Sequence, residues 1–261
     1  MSAIITLTSD WGLLDHYVGA VKGTIIKRLP DARIVDITHL IPPFDLKKAA
    51  FIIRNTYHHF PEKTIHIIGI NTEESESVPH IVVKYNGQYF IGADNGIFTM
   101  IFDELPEQII ELSIPQDTGF FTFSSRDRFV KTAIHLALGN DVEDLGIPRS
   151  ELNTFINMKP QFNGNTLRAR VIYVDNYENL FLNVTSKEFR DMGKGRSFSL
   201  FIKGKPENIG TVNTAYGEVP EGEIVFLFST TGFIEIAVNK GNASSLLGLK
   251  PDDVVVIEFN A

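Results

Sequence analysis

Residues 4–23 constrain the fold of this chain more than any other stretch. An apolar run, Ile4-Ile5-Thr6-Leu7-Thr8, ends in Ser9-Asp10-Trp11-Gly12. Asp15 follows, and Tyr17-Val18-Gly19-Ala20-Val21-Lys22-Gly23 opens a helical pattern. Strand, turn and helix in that order begin a sheet covered by helices. In such sheets ligands bind at the carboxyl ends of strands, where Asp10 and Asp15 stand. A carboxylate there suits a sugar diol, an amine or a metal. The same two residues also suit plainer work, Asp10 in the turn and Asp15 as a helix cap.

The alternation continues. Strand patterns fall at 33–38, 64–70, 81–85, 88–91 and 109–114, and helical ones at 17–29, 46–59, 97–102 and 127–138. Residues 64–70 are apolar almost throughout, the mark of a strand buried on both faces. Asn86-Gly87 predicts a tight hairpin between 81–85 and 88–91. These elements predict an α/β N-terminal domain with a mostly parallel sheet, over residues 1–158. Composition changes around Pro160 and Gly164, which suggests a linker at 159–166. Beyond it, strand patterns at 167–173, 180–184, 198–202, 224–228, 234–238 and 254–259 dominate, with short helices at 186–191 and 243–247. They predict a smaller all-β C-terminal domain, 167–261, built as a sandwich or barrel.

Charge and composition exclude several classes. With 24 basic and 32 acidic residues the formal charge is −8, which argues against a nucleic-acid partner. The absence of cysteine excludes disulfides, thiolate catalysis and Cys-ligated zinc. No apolar run approaches the roughly 18 residues of a membrane span, and Met1-Ser2-Ala3-Ile4 has no signal-peptide character, so a cytoplasmic protein without membrane contacts is expected. No P-loop, G-x-G-x-x-G, H-E-x-x-H or G-x-S-x-G motif occurs. The seven histidines are scattered, and His66, inside an apolar strand, suits the core better than a metal. No metal site is expected.

Three further segments carry chemistry. Thr122-Phe123-Ser124-Ser125-Arg126-Asp127 precedes a helix, where backbone N–H groups and hydroxyls can hold an anion or a polarised water; an ordinary serine cap is the plainer alternative. Tyr173 to Asn183 places Asp175, Tyr177 and Asn179 together, a set able to stack on and hydrogen-bond a purine, or simply to make an Asx turn. Ser229-Thr230-Thr231-Gly232 is a hydroxyl-rich turn before an alternating strand, and a plain hairpin loop would look the same.

The order and spacing of these segments resemble one family. Ser9-Asp10-Trp11-Gly12 with Asp15, Tyr17-Val18-Gly19 and Lys22-Gly23; Val35 to His39; Pro42-Pro43-Phe44-Asp45; Ala93-Asp94-Asn95-Gly96; Thr122 to Asp127; Asp175, Asn179 and Asn183; and Ile236 to Ala243 all resemble the S-adenosyl-L-methionine (SAM) hydroxide adenosyltransferases, relatives of fluorinase and chlorinase. The resemblance implies two domains, a homotrimer, and SAM bound between one subunit's N-terminal domain and a neighbour's C-terminal domain. It implies SAM or adenosine as ligand, with no separate cofactor. Position by position, Asp10 would hold the ribose hydroxyls and Asp15 the methionine ammonium. Phe44 would close over the ribose, and Asp175 would frame the methionine end. Tyr177, Asn179 and Tyr216 would contact adenine, and Thr230 the methionine carboxylate.

The family's reaction displaces methionine from C5′ of SAM, and in the hydrolases water or hydroxide attacks to give adenosine. Hydrolases usually carry Asp-Pro-Gly-Val-Gly with a following Arg, and a His before the Gly-Arg-Asp turn. This chain has Asn71 at the Asp position, no Arg in residues 71–79, and Ser124 at the His position. Ser125 matches a serine of fluorinase, and Glu178 stands where the family prefers glycine. Asn71, Ser124 and Ser125 are therefore the candidate catalytic groups, with Glu73, Glu74 and Glu76 nearby in an acidic loop expected to be exposed. SAM hydrolysis is the expected activity, and a SAM- or adenosine-binding trimer without catalysis the alternative. A metal-dependent hydrolase built on Asp10 and Asp15 is disfavoured because no further ligand has matching spacing.

Overall fold

Six residues, Ile4–Ser9, form β1, and all but the first are buried. A strand buried on both faces needs a neighbour at each edge and helices above and below. The computed structural model, which describes residues 2–155, 158–207 and 209–260, supplies both. β2 (Arg33–Thr38) and β3 (Ile65–Gly69) flank β1 in parallel. β4 (His80–Tyr85) and β5 (Gln88–Ala93) form the hairpin across Asn86-Gly87, whose φ angles of 49° and 69° are those the tight turn demands. β6 (Gln108–Leu112) and β7 (Gly146–Pro148) complete the order β2-β1-β3-β5-β4-β6-β7.

Three of the six pairings are antiparallel, so the sheet is mixed where a mostly parallel one was expected. The hairpin is the cause. A two-residue turn reverses β4 against β5, and β6 and β7 pair antiparallel in succession beyond it. α1 (Tyr17–Arg28) and α4 (Val130–Ala137) cover one face, with Val21, Ile25, Val130 and Ala133 packed on Ile5, Leu7 and Ile67. α2 (Leu46–Arg54) and α3 (Ile97–Ile101) cover the other, with Ala49, Ile53 and Phe98 packed on Ile68, Ile81 and Phe90. α2 starts at a cap, Asp45 accepting from the Lys48 N–H at 2.9 Å, and ends five residues earlier than its pattern suggested, Tyr57–His59 being a separate 3-10 turn.

A polar row crosses the centre of this sheet. His66 on β3 lies between Thr6 Oγ1 at 2.7 Å and Gln88 Oε1 at 2.6 Å, with its ring stacked on Phe90. This is the core histidine its apolar strand suggested. Burial pushes its pKa down to about 4, against the opposing Gln88 bond. The unfolded chain therefore takes up a proton that the native state refuses between about pH 6.5 and 4, so stability falls as pH falls through that window. The expected loss is about 3 kcal/mol, and His66→Gln should flatten the dependence of urea-unfolding stability on pH there. A slope unchanged by the substitution would contradict the assignment.

The chain divides into two compact units, Met1–Ile156 and Asn157–Ala261. The second contains β8 (Gln161–Asn163), β9 (Thr166–Val174), β10 (Leu180–Thr185), α5 (Ser186–Gly193), β11 (Phe198–Ile202), β12 (Lys205–Glu207), β13 (Ile224–Phe228), β14 (Phe233–Val238), α6 (Ala243–Leu247) and β15 (Val254–Phe259). All its strand pairings are antiparallel, in the order β12-β11-β15-β9-β10-β14-β13, with β8 paired to β9. Residues 161–163, inside the stretch expected as a linker, are thus an edge strand. Inward residues of β9, β10, β11, β13, β14 and β15 share one core. The sheet curls so that the strands on either side of β9 share that core.

Candidate functional site

β1, β3 and β5 are consecutive neighbours, so the residues that follow them gather at one edge of the sheet. β4 starts at that edge because it runs the other way, with His80 opposite Ala93. Asp10 follows β1. Its Oδ2 accepts the backbone N–H of Phe44 at 2.9 Å, and this bond anchors a residue in the left-handed region, φ 66°, whose ring is exposed. A carboxylate has acceptor capacity left after one such bond. Asp10 is therefore fixed and still able to accept from a ligand.

Asn71 lies two residues beyond the end of β3. Its φ of 46° is one that asparagine tolerates. Asn95 Nδ2 donates to the carbonyls of Ile70 and Asn71 at 3.1 and 3.0 Å, tying the end of β5 to that of β3. Asp94, fully buried, accepts from the Asn153 N–H at 3.1 and 3.0 Å, with Arg149 Nη2 at 3.8 Å. Burial pushes its carboxyl up, against the Asn153 bonds and the Arg149 charge.

Trp11 brings in the third segment. Its indole fills the space over Gly69, where a Cβ would lie 2.3 Å from the ring. It stacks on His39 and meets Phe123 edge-on at 5.6 Å. Phe123 leads into a π-helical turn, Ser125–Phe129, that packs against β3, β5 and α1. Ser124 and Ser125 are buried at its start. Neither plain reading of the helix starts holds. Ser124 makes no side-chain cap; its Oγ accepts from Gln116 Nε2 at 3.1 Å. Asp15 is exposed, and α1 begins after His16 without a side-chain cap. The carboxylate and hydroxyl are not used by the helices they precede. Asp127 is used structurally: Arg126 Nε at 2.5 Å and Thr118 Oγ1 at 2.7 Å hold its carboxyl below the usual range.

The acidic loop is exposed, as expected, but its glutamates differ. All three are exposed, but among the described residues Glu74 alone is paired, with Arg128. Among the described residues no three or more His, Cys, Asp or Glu are placed to hold a metal ion, and no helix is long and apolar enough to cross a membrane.

The second unit carries its own cluster. Asp175 Oδ1 accepts from the N–H groups of Tyr177 and Asn179 at 2.9 and 2.8 Å, the Asx turn that the sequence allowed. Tyr177 is 74% exposed, and Asn179 is buried. Tyr216 donates to Glu235 Oε1 at 2.7 Å. Burial and that carboxylate push the Tyr216 hydroxyl up, and burial together with Asp175 pushes Glu235 up. Glu235 was not anticipated, although a lone acid in Phe233-Ile234-Glu235-Ile236-Ala237-Val238 signals a buried charge. Thr230 is exposed in the turn between β13 and β14. It lies at the other end of β10 from the Asp175–Asn179 turn, about 17 Å along the strand. The structure thus groups Asp175, Asn179, Tyr216 and Glu235 and sets Thr230 apart. Glu178 adopts φ 62°, which accounts for a glycine preference there, and its Oε2 accepts from the Ser245 N–H at the start of α6.

A mixed α/β unit with polar groups at the strand ends, followed by a curled β unit in which an exposed tyrosine bonds a buried carboxylate, defines a two-domain protein with the polar groups a small molecule needs. The chain belongs to the SAM hydroxide adenosyltransferase family: the family's N-terminal domain matches residues 5–146 and its C-terminal domain residues 169–256. It is 30% identical over 256 residues to the (R)-S-adenosyl-L-methionine hydrolase of Thermus thermophilus, covering 93% of this chain and 94% of that one. It is 24% identical to the fluorinase of Nocardia brasiliensis, covering 95% and 94%. The crystal structure of an uncharacterized conserved protein from Thermotoga maritima matches with a TM-score of 0.88 at 31% identity, over 97% of this chain and 99% of that one.

Proposed function

We propose that this chain hydrolyses SAM at C5′ to adenosine and L-methionine. The observation that carries the reading is the Asp10 carboxylate, fixed at the end of β1 by Phe44 and able to accept from a vicinal diol. Family membership and the hydrolase named above support it. Water attacks C5′ in line with the C–S bond, methionine leaves as a neutral thioether, and one proton passes to solvent. The leaving group needs no acid, so the protein must position a partly desolvated water. Asp15 holds the methionine ammonium, and Phe44 closes over the ribose. Asn71, Ser124 and Ser125 line the water's side of the reaction. Tyr177, Asn179 and Tyr216 recognise adenine, Asp175 frames the methionine end, and Thr230 meets the methionine carboxylate. SAM is substrate, no cofactor takes part, and the working form is a cytoplasmic homotrimer.

The test is incubation of purified protein with SAM, with products followed by chromatography against a control without protein. Adenosine and methionine in equal amounts, unaffected by chelators, are expected. Intact SAM recovered bound to the protein would replace the hydrolase reading with a binding one. Light scattering at the mass of three chains would support the trimer.

A further inference from the structure

The loop between β3 and β4 is clamped by three side chains distant in sequence. Arg128, in the π-helical turn, bonds through Nη1 to Glu74 Oε1 in the loop and lies 3.1 Å from His80 Nδ1 at the start of β4. A guanidinium can only donate, so His80 Nδ1 accepts and the ring proton sits on Nε2. Nε2 donates to the Thr72 carbonyl at 2.9 Å. Two of these bonds therefore end on the loop that begins at Asn71. His80 is fully buried, with its ring edge-on to Phe129 at 4.8 Å. Burial pushes its pKa below the usual value, as does the Arg128 charge, while Thr72 and Glu74 oppose the shift. The neutral imidazole is the form that the bond from Arg128 requires.

The same guanidinium has a buried N–H without an acceptor. Arg128 Nε is buried and meets no acceptor among the described residues. Ser125 Oγ, in the same turn, is likewise buried and unpartnered, and so is Oε1 of Gln116, whose Nε2 holds Ser124. Buried polar atoms are nearly always satisfied, and π-helical turns recur at functional sites. Three unsatisfied atoms around one such turn call for a small polar molecule from outside the chain. Water has the donors and acceptors that a hydroxyl, a carbonyl and a guanidinium N–H need. Asn71 and Ser124 are weak proton acceptors, whereas the clamp brings a fixed guanidinium to this edge.

We propose that Arg128 and Ser125 hold the attacking water, and that Glu74 and His80 are positioning residues for Arg128; the inference rests on the hydrolase reading above. The water would accept from Arg128 Nε and keep a lone pair free for C5′. The test uses the full chain and SAM. Arg128→Met should lower kcat about 100-fold, the scale of losing a preorganised donor, with KM and the calorimetric SAM Kd changed by less than about threefold. Arg128→Lys should recover little, because the three N–H groups of an ammonium share one nitrogen and none can stand at the Nε position while that nitrogen bonds Glu74 and His80. Guanidinium ion added to Arg128→Ala should restore part of kcat. If Arg128→Met does not fold, Glu74→Gln and His80→Gln carry the same test, with kcat falling and KM kept. Wild-type cleavage matched by these folded variants would overturn the inference alone. A wild-type chain that leaves SAM intact would overturn the hydrolase reading, and the role of Arg128 with it.

Discussion

Asp10→Ala is expected to weaken SAM binding about 100-fold or more. A carboxylate facing two ribose hydroxyls makes two charge-assisted hydrogen bonds, each contributing about 1.5–3 kcal/mol, so losing both costs at least about 3 kcal/mol. The substitution also releases the Phe44 N–H that Asp10 holds at 2.9 Å. Phe44 occupies the left-handed region at φ 66°, a conformation that persists only where neighbours enforce it. Asp10→Asn separates the two effects. Its carbonyl oxygen can still accept from Phe44, but its NH2 cannot accept from a hydroxyl, so an intermediate loss is expected. Calorimetric titration with SAM measures both variants. An unchanged Kd for Asp10→Ala would remove Asp10 from the ribose.

Asp94→Ala is expected to destabilise the N-terminal unit by about 3 kcal/mol, the cost of leaving a buried donor without its acceptor. Asp94 is fully buried and takes both of its oxygens to the Asn153 N–H. Its neighbour Asn95 ties β5 to β3 through Ile70 and Asn71, so the loss should also loosen the end that carries Asn71. Burial raises the Asp94 carboxyl, which means that charge is costly there. A native pKa above the unfolded one makes this group's contribution grow as pH falls through the native pKa. Asp94→Asn, an analogue of the protonated acid, should therefore keep most of the stability. Urea unfolding of the two variants checks the pair, and a loss under about 1 kcal/mol in Asp94→Ala would refute the argument.

Much of the site was legible in the sequence because strand ends are legible. Apolar runs locate β1 and β3, and Asp10, just past β1, follows from the habit of α/β sheets, whereas Asn71 was singled out only by the resemblance. Asp175 was legible as a turn for a similar reason, since Asx residues bond to backbone a few positions away. The direction of β4 was harder. Asn86-Gly87 predicted the hairpin, but its consequence for the whole sheet depends on which strand the hairpin joins, and only the packing decides that. The π-helical turn was read as ordinary helix because hydrophobic spacing over five residues cannot separate the two.

The sequence by itself determined the two kinds of architecture, the strand-end carboxylates and the family, because each rests on local periodicity or on motifs a few residues long. Tertiary structure alone decided that Arg128 meets His80, 48 positions away, and Glu74, 54 positions away. It alone placed Glu235 beneath Tyr216 and Trp11 over Gly69. Such contacts are set by strand order and by which side chains can fill a given space, and these are properties of the folded chain that neighbouring residues do not encode.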